Sequence, residues 1–116
     1  TQEGRNRPLK HCIKGTDGWK IKEGVYKENC KIVEKPSFGS VDLVEYIKSI
    51  NEKEKIESVE FIGICTDICV VTNVMMIKGH FPEIELIVDS KACAGVSPQS
   101  HNSALETMKM CQVKIV

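Results

Sequence analysis

A layered α/β domain built on a parallel sheet is the architecture this sequence predicts, and three observations predict it. From Cys30 onward, four short runs rich in Val and Ile alternate with three segments whose apolar residues recur at helical spacing. Strands that alternate with helices in this way join as right-handed βαβ units, and these place the strands parallel. Finally, 116 residues with 41% hydrophobic and 28% charged side chains make at most one domain, with enough aliphatic residues to bury a core.

In chain order, TQEGRNRPLK is polar, carries Gly and Pro, and shows no apolar period. It opens on Thr1 without an initiator Met and reads as the middle of a protein, so residues 1–116 are expected to be a single domain that is N-terminally incomplete. CKIVEK reads as a strand ending at Lys35 and PSFGS as a turn. VDLVEYIKSINE follows as an amphipathic helix with Val41, Val44, Ile47 and Ile50 on one face. SVEFIGI is the second strand, and Thr66 or Asp67 can cap a helix through DICVVTNVMMIKGH. EIELIVD is the third strand, SPQSHNSALETMKM the third helix and QVKIV the last strand. No repeat, linker or low-complexity segment interrupts the order.

Composition excludes several functions. Sixteen basic and sixteen acidic residues cancel, and the lysines are interspersed with glutamates, so neither nucleic acid nor an anionic membrane has an electrostatic footprint here. The apolar runs are far shorter than a membrane span, and no signal-peptide pattern opens the chain. A cytoplasmic protein is expected, with its six cysteines reduced because four of them lie in apolar or helical contexts. A homo-oligomer is left open.

Open parallel sheets carry their chemistry at the carboxyl ends of the strands. That rule singles out Lys35 with PSFGS, and the turn GICTDICV that holds Cys65 and Cys69. In the first helical turn Cys69 would meet free backbone N–H groups and the positive end of the helix dipole, which favour a thiolate, and the Lys35 ammonium would favour it further. Against this stands a plain reading, Cys69 as a small buried hydrophobe and Lys35 as a solvated strand end. A metal pair lacks a second pair at ligand spacing, since His80 and His101 fall at a helix end and a helix interior with no evident partner. A Cys65–Cys69 disulfide would distort the turn.

Four segments in order, HCIKGTDG, VEKPSFGS, GICTDICV and VDSKACAGVSPQSHNSALETMK, resemble the isochorismatase-like cysteine hydrolases, and among them the nicotinamidase branch. The resemblance implies a three-layer Rossmann-like fold with a six-stranded parallel sheet, four of whose strands lie in this chain. It implies an Asp, Lys and Cys triad whose Cys falls on Cys69 and whose Lys falls on Lys35. It also implies a cis peptide before Cys65 that aims the backbone N–H groups of Cys65 and Cys69 at one point, an oxyanion hole. The family's catalytic Asp lies upstream of HCIKGT. Asp17, Asp42, Asp67 and Asp89 occupy other family positions, and none fills that role. In the same sheet order, two strands absent from this chain separate CKIVEK from SVEFIGI, which leaves CKIVEK without a neighbour.

The resemblance further implies a divalent metal, Zn in first place with Fe or Mn as alternatives, with His11 as a ligand and Glu3, eight residues earlier, as a second candidate whose plain reading is a solvated acid. Phe38 matches a pocket aromatic, whereas Val41 or Asp42 stands where many members carry another. The expected partner is a small-molecule amide, and the expected reaction is hydrolysis of nicotinamide to nicotinate and ammonia through a thioester. Two alternatives accompany it: a metal-free isochorismatase-like hydrolase of another small molecule, and a non-catalytic binding or redox module on the same fold.

Overall fold

The computed structural model describes residues 1–116. Its internal contacts group the chain into two compact units, Thr1–Ser37 and Phe38–Val116.

The first unit holds a short helix, α1 (Gln2–Arg5), and a single 3-10 turn, Asp17–Trp19. Thr1 caps α1 by accepting from the Gly4 N–H at 3.0 Å. Local polar contacts dominate the rest. Lys14 pairs with Glu34 at 2.9 Å and lies 5.9 Å from the centre of the Trp19 ring. No residue of this unit is buried. The strand expected at residues 30–35 is not part of the sheet, which contains three strands rather than four. A strand is defined by its ladder, and the β-branched residues of CKIVEK have no neighbouring strand in register to pair with.

The second unit carries the sheet. It begins with α2 (Val41–Lys53), continues through β1 (Ser58–Ile64), a π-helical turn (Thr66–Val70) and α3 (Val71–His80), and ends with β2 (Glu85–Ala94), α4 (Pro98–Met110) and β3 (Lys114–Ile115). The three strands are parallel in the order β1-β2-β3. Because consecutive right-handed crossovers in that order deliver their helices to the same side, α3 and α4 share one face of the sheet. The pleat then decides burial. Leu86 and Val88 are buried, pair with Val59 and Phe61 of β1, and join Val74, Ile77 and Met108 in the core, while Ile62 and Ile64 on the alternate face are exposed. Of the four apolar positions expected on one face of α2, Val44 and Ile47 are buried, but Val41 is 66% exposed.

Within the ladder, Phe61 pairs with Val88 but Gly63 pairs with Cys93, so β2 bulges between them. Gly63 adopts φ +124° at this shift, a conformation that only glycine takes readily. The bulge lengthens β2 well past the expected EIELIVD and brings Cys93 beside the end of β1.

Candidate active site

The carboxyl end of β1 runs directly into the cysteine turn. The Ile64–Cys65 peptide bond is cis. The Cys65 carbonyl then accepts from the N–H groups of both Ile68 (3.1 Å) and Val70 (3.0 Å), which winds Thr66–Val70 as a π turn before α3 begins at Val71. Cys69 thus lies in the first wound turn after the strand, half-buried, as does Cys65 at its start. All six cysteines are free thiols. Burial pushes the Cys65 thiol pKa up, and the charges of Asp67 and Cys69 push it the same way. Burial also raises the Cys93 thiol, against a backbone hydrogen bond at Gly63 that lowers it.

Thr66 and Asp67 do not cap the helix as the local pattern suggested, since no side chain caps the turn or α3. Their side chains reach across to the start of α4 instead. Thr66 is fully buried, and its Oγ1 lies 2.8 Å from His101 Nδ1, the partner that His101 lacked in the sequence reading. The Asp67 carboxylate accepts from the Ser100 hydroxyl and from the Val96 N–H at 2.9 Å. The Ser100 bond first and the Val96 bond next hold the Asp67 pKa below the usual carboxylate value against the opposing effect of burial. Ser97 and Ser100 cap α4 reciprocally, each side chain accepting the other's N–H at 3.1 Å, with Pro98 in the first turn. Gly95 lies so close that a Cβ there would come 2.8 Å from the His101 Cβ. An open groove of about 500 Å³ beside α4 is lined by Asp67, Val71, Ser97, Ser100, Ser103 and Thr107, and neither Cys69 nor Phe38 borders it.

Phe38 is half-buried and belongs to the same unit as Cys69. The two are joined through Asn73, whose side-chain NH₂ donates to the Phe38 carbonyl (3.0 Å) and to the Cys69 carbonyl (2.8 Å). Sequence reasoning missed Asn73. The signal was an amide within the apolar helical run VVTNVMMI, where a polar residue needs a reason.

The remaining predicted residues lie in the first unit. Lys35 is exposed, and its Nζ donates to the Ser37 carbonyl at 3.0 Å. His11 is exposed with Nδ1 3.5 Å from Cys12 Sγ, and Glu3 is half-buried in α1. Nowhere do three or more His, Cys, Asp or Glu side chains converge as a metal site would require.

The Isochorismatase domain family matches residues 1–116. Among solved structures, a nicotinamidase/pyrazinamidase from Bacillus subtilis superposes with a TM-score of 0.79 at 22% identity, over 98% of this chain and 65% of its own. An isochorismatase-like hydrolase from Alkaliphilus metalliredigens gives 0.76 at 25% identity, over 96% and 59%. A pyrazinamidase from Pyrococcus horikoshii, solved in complex with zinc, gives 0.74 at 22% identity, over 100% and 66%. The chain therefore spans less than two thirds of the length of these relatives, with which it shares a fold.

Proposed function

The chain belongs to the isochorismatase domain family, and on that premise we propose that it acts as a cysteine-dependent amidohydrolase, specifically a nicotinamidase that converts nicotinamide to nicotinate and ammonia in cytoplasmic NAD salvage. The observation that carries this reading is the position of Cys69: a half-buried thiol in the first turn after the carboxyl end of β1, hydrogen-bonded through its own carbonyl to the side chain that also holds Phe38.

In this mechanism the Cys69 thiolate attacks the amide carbon, and the carbonyl π electrons move onto oxygen. The N–H groups of Cys65 and Cys69 stabilise that oxyanion, a contribution of about 3 to 4 kcal/mol per donor in comparable sites. Collapse of the adduct breaks the C–N bond, and the nitrogen leaves as ammonia with the proton first taken from the thiol. Water then attacks the thioester carbon, releases nicotinate and returns the thiol. By the resemblance, the family's triad Lys falls on Lys35 and its pocket aromatic on Phe38, which would stack on the pyridine ring. The base that carries the proton is, by the resemblance, an Asp outside the motifs present here.

Zinc, or iron or manganese in its stead, would complete the analogy with the Pyrococcus protein. Of the residues present, His11 and Glu3 are the candidate ligands, and no group of three or more His, Cys, Asp or Glu side chains gathers round either of them.

The test is ammonia release from nicotinamide. Activity that disappears in Cys69→Ala while folding is retained supports the reading. Release that persists in that variant removes Cys69 as the nucleophile, and hydrolysis of other small amides with nicotinamide ignored moves the protein to another member of the class.

A further inference from the structure

We infer that Asn73 is a positioning residue that locks the Phe38–Ser40 turn to the Cys69 turn, so that the pocket aromatic and the nucleophile are held in one register. This rests on the functional reading above.

Asn73 lies on α3 one helical turn beyond Cys69 and is only 8% exposed. An amide offers two N–H donors and one carbonyl acceptor, and all are engaged. The NH₂ donates to Phe38 O and Cys69 O, while Oδ1 accepts the Ser40 N–H at 2.8 Å. Those partners also set the orientation of the amide. Turned over, its oxygen would confront two carbonyls and its NH₂ would confront an N–H, leaving buried polar groups unsatisfied. Two of the three bonds span more than thirty residues of chain, so they are tertiary in purpose and add nothing to α3 itself.

The turn that Asn73 grips is fixed at both its ends. Ser40 is buried and caps α2 by accepting the Leu43 N–H at 3.1 Å, so the residue held by Asn73 also sets where α2 starts. Between the two gripped residues, Gly39 presses on α3. A Cβ there would overlap the Met76 sulfur and come 3.0 Å from the Thr72 methyl. The backbone of residues 38–40 therefore follows α3 through one side chain, and a shift of that side chain moves Phe38 relative to Cys69.

Two variants separate positioning from general stability. Asn73→Ala removes all three bonds, and Asn73→Asp keeps an acceptor for Ser40 but cannot donate to Phe38 or Cys69. In Asn73→Ala, hydrogen exchange at the Ser40 amide should quicken about tenfold or more, while Val74 and Ile77 amides on the same helix change less than about threefold. In Asn73→Asp, Ser40 should stay protected. In that variant kcat/KM for nicotinamide should fall about tenfold, chiefly through KM, because the ring contact is disturbed and the thiol is retained. Uniform loosening of Ser40, Val74 and Ile77, or an unchanged KM in folded Asn73→Asp, overturns the inference. Should the full-length protein ignore nicotinamide, the functional reading fails on its own, and the exchange pattern still decides whether the clamp exists.

Discussion

Cys65 and Cys69 stand four residues apart, and the proposed mechanism gives them different uses. The Cys65 thiol, raised by burial and by Asp67, stays protonated near neutral pH and is a poor nucleophile there. Under the proposed roles Cys69 is the nucleophile, so iodoacetamide at neutral pH should label it ahead of the other five cysteines, and Cys65→Ala should leave turnover nearly intact because only its N–H is used. Equal labelling of all six, read by mass spectrometry, contradicts the assignment. Asp67 makes a separate prediction. Its carboxyl pKa is lowered in the folded state, so its charged form adds stability that is present above the ordinary value of 3.8 and is lost as pH falls through and below it. Asp67→Asn should cost about 1 to 3 kcal/mol near neutral pH, the worth of hydrogen bonds to a charged group. It should also flatten the fall of Tm with acid below that value. A Tm profile against pH parallel to wild type would show that the Ser100 and Val96 bonds matter little.

At the scale of elements, the start of α4 and the cysteine turn behave as one piece, held by Thr66 to His101 and by Asp67 to Ser100 and Val96. The turn at residues 38–40 is attached to α3 in the same manner, by Asn73 and by the absence of a side chain at Gly39. Gly39→Ala should therefore destabilise the fold by about 1 kcal/mol, the low end for overpacking, since the thioether it strikes can swing aside. Met76→Ala in the same chain should remove most of that penalty. Additive losses in the double variant, measured by chemical denaturation, would mean that Gly39 is needed for another reason.

Across the whole molecule, burial is divided unequally. All buried residues lie from Ser40 onward, and the core joins α2, α3 and α4 with β2. Amides of residues 1–37 should thus exchange within the fast phase, and those of Leu86, Val88 and Ile77 should be the slowest, on a full-chain hydrogen-exchange map. Protection of residues 11–30 comparable to that of β2 would contradict this division. Much of the architecture could be read from residues alone: the strands SVEFIGI and ELIVD, the helices near 41–53 and 98–110, and the cysteine turn at a strand end all follow from apolar period and from Ser, Pro and Gly signals, which act over a few residues. Tertiary structure decided what local patterns cannot carry. Whether CKIVEK pairs as a strand depends on a neighbour in register. The uses of Thr66, Asp67, His101 and Asn73 depend on partners about thirty residues away, because a side-chain hydrogen bond needs only proximity in space and leaves no period in the sequence.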